Sequence, residues 1–306
     1  MTEQDREAKP RRRKRWFWLL LLPVVFVLAD ALHAAYIAAA VDAWAGEAEL
    51  TEDGVIAGCE AYDLVATDGE VSDTALLLVH GFNASPRHYD FVAPSLAERG
   101  FDSRVMRLPG FAEPFALHQE HDHRDWTAAV TAELETLRLR YDRVGVVGHT
   151  LGGAVTIGTL LEDAGAADFA VLLAPAVAVS DTRAPLLSTR SWHEVSEHLF
   201  LFTNVLQTPF PMNCRVEGRT DYPGRMPFSS RNVIDTLFDL LDENQRRIDR
   251  WATPITMIVC AGDRIVDTPA AERYFERLTV DEKNWSCYRT AVTKCRSTES
   301  GSGSSS

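Results

Sequence analysis

Apolar and polar positions alternate differently in successive stretches of the 306-residue chain. Residues 16–29 read WFWLLLLPVVFVLA, and the apolar run can be extended to about Val41 with Asp30 and His33 inside it. An acidic linker, Gly46 to Gly54, follows. Beyond it, CEAYDLVAT (58–67) predicts an edge strand and DSRVMRLPG (102–110) a strand with its turn. ALLLVHGF (75–82), VGVVGH (144–149), FAVLLAPA (169–176) and ITMIVCAG (255–262) are continuous apolar runs, the pattern of strands buried on both faces. Between them, PSLAERG (94–100) closes a helix on glycine. Val130, Leu134, Leu137 and Tyr141 recur at helical spacing after Trp126, and Thr268 to Leu278 predicts a last helix. The alternation predicts an α/β fold with a doubly wound, mainly parallel sheet. Residues 180–250 lose it and read as an irregular helical cap. From Ser286, SCYRTAVTKCRSTESGSGSSS has no period. The expected organisation is 1–45 as basic segment and anchor, 46–179 as the first part of the core, 180–250 as cap, 251–285 as the rest of the core, and 286–306 as an aberrant, disordered tail.

The flank of the first run decides how it is read. Arg11-Arg12-Arg13-Lys14-Arg15 precede it, and a basic flank before an apolar segment marks a signal anchor or signal sequence. The strict run is short against the ~20 residues of a span. Extending it immerses Asp30, at about 2.5–3.5 kcal/mol on insertion scales. Cleavage after Ala40, in Ala38-Ala39-Ala40, would instead release a secreted domain. The positive-inside rule places the N-terminus in the cytoplasm and the main domain outside, behind a single-pass anchor. A net charge of −13 argues against nucleic acid, whose affinity comes from phosphate neutralisation. Five cysteines without CxxC pairs speak against a zinc ribbon or a disulfide framework. Cys260 reads as a core thiol; Cys287 and Cys295 lie in the tail.

Gly148-His149-Thr150-Leu151-Gly152 joins a buried strand to a small-residue helix. This is the G-x-S-x-G spacing of a nucleophile elbow, with Thr150 at the nucleophile position. The glycines permit the sharp turn, and the helix N-terminus faces developing negative charge. A second element, Val79-His80-Gly81-Phe82-Asn83, ends an earlier strand. Its turn would bring the Phe82 N–H beside the Leu151 N–H as oxyanion donors, with His80 shaping the loop. A third, Ala261-Gly262-Asp263, places an acid directly after a late strand, where a histidine-orienting carboxylate sits. Asp267 reads as the cap of the helix beginning Thr268-Pro269.

These elements resemble the α/β-hydrolase family over residues 58 to 285. LLLVHGFNASPRHYDFVAPSLAERGFDSRVMRLPG and GHTLGGAV are most similar to the monoacylglycerol lipase, lysophospholipase and carboxylesterase branch. The resemblance implies an esterase with a Ser-Asp-His triad and a lid over an acyl pocket. Its substrate would be a small acyl ester or lipid, with no cofactor. The chain departs from the pattern twice. Thr150 adds a stiff β-branched methyl in a crowded turn, which predicts a large loss of rate. No histidine follows Asp263, so the base is missing; His193 and His198 fall in the cap.

The tail offers a reason. Back-translated with free third bases and read one base earlier, it permits LLPDGRHEVQIDRE, a strand, a glycine turn and a His-Glu. The histidine would straddle the codons of Val292 and Thr293. This suggests a frame shift after Trp285. Three readings follow: an ester hydrolase, impaired as it stands; a membrane-tethered lipid-binding pseudoenzyme; and a metal hydrolase through His118-Gln119-Glu120-His121-Asp122-His123. The last run reads more simply as a loop entering the Trp126 helix, and no metal site is assigned.

Overall fold

A computed structural model describes residues 11–67, 72–208, 222–290 and 293–294. A long helix α1 (Arg11–Glu47) leads into β1 (Tyr62–Leu64), β2 (Thr74–Val79), α2 (Val92–Ala97), β3 (Asp102–Met106), α3 (Phe115–His118) and α4 (His123–Arg138). Next come β4 (Arg143–His149), α5 (Leu151–Glu162), β5 (Phe169–Leu173), α6 (Thr189–Leu199), β6 (Val205–Gln207) and β7 (Phe228–Ser230). The chain continues through α7 (Arg231–Arg246), β8 (Ile255–Cys260), α8 (Thr268–Arg277), β9 (Lys283–Thr290) and β10 (Thr293–Lys294).

Continuous apolar runs became strands covered on both sides. In β2, Ala75, Leu77 and Val79 enter one core cluster while Leu76 and Leu78 enter another. The eight-stranded sheet runs β1-β3-β2-β4-β5-β8-β9-β10. Within this sheet the neighbours β3, β2, β4, β5, β8 and β9 pair in parallel, and β1 and β10 pair antiparallel at the edges. The carboxyl ends of β2, β4, β5 and β8 therefore share one edge of the sheet, where ligands of such folds sit. The larger cluster takes Trp126, Val130, Leu134 and Leu137 from α4, half of α5, and Ala271, Tyr274 and Phe275 from α8.

Two boundaries and the burial of one cysteine differ from the sequence expectation. The stretch 180–250 divides: α6 and the β6–β7 pair lie outside the main sheet, but α7 packs with α4 and α5 and buries Val233, Phe238, Leu240 and Leu241 in the core. Its amphipathic face was present in the sequence, and the polar, proline-rich residues before it hid the period. The tail expected to be structureless from Ser286 instead continues β9 to Thr290, in parallel register with β8 through Tyr288. Trp285 and Cys287 alternate inward against the core, the period-two signal that the odd composition obscured. Cys260, expected in the core, is only half-buried at the strand end. The proposed histidine at 292–293 and Cys295 lie outside the residues whose side chains are described.

Helix α1 runs unbroken through Ala38-Ala39-Ala40. From Leu21 to Glu47 it is long and apolar enough to cross a membrane, and only 11% of its most apolar stretch is buried. Its last turns are docked: Ile37 is buried, Ala40, Val41 and Trp44 pack on the main core, and Trp44 meets Phe228 edge-on at 6.3 Å.

Candidate active site

Thr150 stands between β4 and α5 with φ 52° and ψ −109°. Positive φ is an outlier for a β-branched residue and persists only where the surroundings hold it. Here they do. The Thr150 N–H donates to Leu173 O (3.1 Å), and its carbonyl accepts from Ala154 N (3.1 Å) and Ala176 N (2.9 Å). The turn is thus tied to the end of β5 and to its own helix. Glycines make the approach possible. A Cβ on Gly152 would lie 2.2 Å from Val79 O and 2.5 Å from His80 O, so the first turn of α5 abuts the end of β2. A Cβ on Gly148 would lie 2.6 Å from Gly152 O.

That abutment brings the two expected oxyanion donors into one neighbourhood. Leu151 opens α5, and Phe82 follows Gly81, whose Cβ position is 3.4 Å from Thr150 Cβ. His80 fixes the loop between them. It is fully buried; its Nε2 accepts from Leu108 N (3.1 Å) and its Nδ1–H donates to Gly81 O (2.9 Å). Burial pushes its pKa down to about 4, so it is neutral and structural at neutral pH.

Asp263 follows β8 on the same sheet edge as Thr150. Its Oδ1 accepts from Ile265 N (2.8 Å) and Val266 N (3.0 Å), which fixes the carboxylate against its own loop. That loop is pinned in turn, because Asp267 N donates to Ala178 O and Ser180 N to Ile265 O. One strand, β5, separates β4 from β8. Two strand spacings amount to about 10 Å, a gap for an imidazole to bridge. Asp267 caps α8 by accepting from Ala270 N (2.9 Å).

The histidine beside Thr150 does not serve as the base. The Thr150 Oγ1 is 3.1 Å from both ring nitrogens of His149. An oxygen equally far from both lies over the ring face, whereas the proton-accepting lone pair lies in the ring plane. Burial first, then His88 and His80, push His149 down to about 3, which makes it a weak acceptor. Its ring stacks on His88 at 4.5 Å, and His88 Nδ1 faces the Tyr222 hydroxyl at 3.3 Å. Nothing local signals this pair, since His88 lies 61 positions from His149.

Thr150 opens onto a cavity of about 660 Å³ bounded by Phe82, Ala184, Trp192, Met226 and Ile265, largely apolar with Arg183, Arg225 and Arg264 along its wall. His193 points elsewhere, with Nε2 hydrogen-bonded to Asp235. The His118–His123 run disperses. His118 Nδ1–H donates to Gly110 O, His121 pairs with Asp125, and His123 faces Glu243. Asp122 and Asp125 form a capping box at the start of α4. Among the described residues, His193, Glu197 and Asp235 alone come close enough together to share an ion.

Comparison with known proteins agrees with this fold. Residues 71–292 match the family Hydrolase_4, described as serine aminopeptidase, S33. The chain is 23% identical over 229 residues to a thermostable monoacylglycerol lipase of Bacillus sp. (strain H-257), covering 75% of this chain and 84% of that one. Among solved structures, the monoacylglycerol lipase of Paleococcus ferrophilus superposes with a TM-score of 0.62 at 19% identity, over 75% of this chain and 88% of that one. A soluble variant of the Saccharomyces cerevisiae monoglyceride lipase superposes with 0.63 at 13% identity, over 74% and 81%.

Proposed function

The chain belongs to the Hydrolase_4 family of α/β-hydrolases, and from that premise we propose that its cavity is built to cleave carboxylic esters of the acylglycerol or lysophospholipid kind. The observation that carries this is Thr150 held at φ 52° on the strand-to-helix turn, in the lining of a large apolar cavity. In the reaction the Thr150 hydroxyl attacks the ester carbonyl and, with no triad histidine beside it, gives its proton to water. The Phe82 and Leu151 N–H groups receive the oxyanion. The alcohol leaves with that proton, and water releases the acid from the acyl-enzyme. Asp263 stands where a carboxylate would orient a triad histidine. Gly148, His149 and Gly152 shape the elbow.

The base is what the chain lacks, because no histidine follows Asp263. Its activity is therefore low, and the threonine methyl lowers it further. A second reading, a membrane-tethered lipid-binding protein without catalysis, is favoured by the same two departures beside an intact pocket. The membrane helix serves either reading, with the main domain on the exocytoplasmic side.

Hydrolysis of p-nitrophenyl esters separates them. Four proteins are compared: the chain, Thr150→Ser, the chain with the alternative-frame tail after Trp285, and both changes together. Without a triad base, roughly 10³–10⁴-fold catalysis over water can remain from the other parts. Thr150→Ser alone gains little, the new tail alone gains some, and the double change gives a competent esterase. If Thr150→Ser alone matches the double change, another residue is the base and the assignment fails. Tight binding of a long-chain acylglycerol with no turnover in any of the four supports the second reading.

A further inference from the structure

Asp30 is the one charged residue of the apolar helix from Trp16 to Val41. It is buried, and its partners lie more than 170 positions away. Its carboxylate accepts from Leu201 N (2.7 Å), Phe202 N (2.9 Å), Thr203 N (3.2 Å) and Thr203 Oγ1 (2.6 Å). The same loop is held from the other side, where Arg231 at the start of α7 donates to Thr203 O (2.6 Å) and Phe200 O (3.5 Å). Since α7 belongs to the core, the contacts form one link from anchor helix to loop to core.

What surrounds the latch is apolar and exposed. Leu201 is 63% and Phe202 51% exposed, and the Phe200 ring lies 5.8 Å from Phe26 on α1. Along α1, Leu28, Leu32 and Tyr36 are exposed on both sides of Asp30. Helix α6 adds exposed Trp192, Val195 and Leu199, whose spacing of three and four puts them on one face. Trp192 is also part of the cavity rim, and the exposed Leu186 and Leu187 lie nearby in sequence. An apolar path therefore runs from the membrane helix, over the latch and along α6, to the mouth of the cavity.

Length explains why a latch is needed. Residues 16–29 rise roughly 21 Å at 1.5 Å each, short of the ~30 Å hydrocarbon layer. Filling the layer draws Asp30 below the surface, where a bare carboxylate is costly. The loop supplies the hydrogen bonds that water no longer can, and its own apolar side chains descend with it.

We propose that Asp30 is a latch that joins the membrane helix to the 200–203 loop and lays the outer face of α6 on the bilayer surface, with the cavity mouth opening against lipid. The occupant of this face is the phospholipid bilayer itself. The inference rests on α1 being inserted, and not on the esterase reading.

The test uses the full chain in phosphatidylcholine vesicles whose acyl chains carry bromine, which quenches nearby tryptophan. The emission of Trp192 is read as the difference between the chain and Trp192→Phe. Resistance to alkaline carbonate extraction reports insertion separately. The expected result is quenched Trp192 emission in the parent. Asp30→Ala, and independently Leu199→Glu, lose that quenching while both proteins resist extraction and keep the parent's circular dichroism. Unquenched Trp192 in an inserted parent overturns the proposal. Quenching unchanged by Asp30→Ala overturns the latch. Extraction of the parent by carbonate overturns the anchor reading, and the proposal with it.

Discussion

Two alanine substitutions in the same helix isolate the contact that builds the elbow. Gly152 and Gly158 both lie in α5, and replacing either gains about 0.8–1 kcal/mol of helix propensity. Their surroundings differ. A Cβ on Gly152 meets Val79 O at 2.2 Å, His80 O at 2.5 Å and Val79 C at 2.7 Å. All three are backbone atoms at the end of β2, which is paired on both sides by β3 and β4 and cannot retreat. A Cβ on Gly158 meets the tips of Thr127, Leu240 and Asn244 at 3.1–3.3 Å, side chains that can give by tenths of an ångström. Overpacking a rigid site costs about 1–3 kcal/mol and sometimes more. With three contacts well inside the normal limit, Gly152→Ala belongs at or above the top of that range, a net loss of roughly 2–3 kcal/mol after the helix gain. Gly158→Ala should fall within about 1 kcal/mol of the parent. At about 2–4 °C per kcal/mol for a domain of this size, thermal unfolding followed by circular dichroism should show Gly152→Ala several degrees below Gly158→Ala. The reasoning is refuted if the two melt together, because α5 would then not be wedged against β2. The spacing of the Phe82 and Leu151 donors would then have another cause.

Three further predictions concern buried histidines, a helix cap and zinc. Burial lowers His80 and His118 from 6.5 to about 4, so the unfolded chain takes up protons that the folded one refuses. Their contribution to stability is present above pH 6.5 and is lost as pH falls toward 4, at about 1.4 kcal/mol per pH unit for each group. His118→Phe should reduce the acid slope of unfolding free energy by about that amount, and an unchanged slope would show that His118 does not titrate on unfolding. Asp122 accepts from Arg124 N (2.7 Å) and Asp125 N (3.3 Å), so Asp122→Ala should lower stability by about 1 kcal/mol. No zinc-dependent rise in melting temperature should depend on the His118–His123 run, and a rise abolished by Asp122→Ala would return that run to metal binding.

Local chemistry made the central strands and the elbow legible. Strands covered on both faces show as unbroken apolar runs, as in residues 75–79, and a turn too tight for a Cβ shows as glycine at fixed spacing around Thr150. Asp263 after β8 and Asp267 at the start of α8 could be placed because strand ends and helix caps are set by the residues beside them. Distant pairings left no such mark. Nothing near Asp30 names Thr203 as its partner, nothing near His149 names His88, and the polar stretch before α7 concealed a helix that closes the core. Trp285 and Cys287 alternate for only a few residues, too few to outweigh the composition around them until β8 supplied an edge to pair with. Propensity, burial pattern and glycine placement act over a few residues, so the central strands, the helices with a clear period and the turn at Thr150 could be read from the chain alone. What meets across the chain was settled by folding, because those contacts depend on how the sheet brings remote segments together, and a lone buried carboxylate becomes tolerable only when that closure delivers hydrogen-bond donors to it.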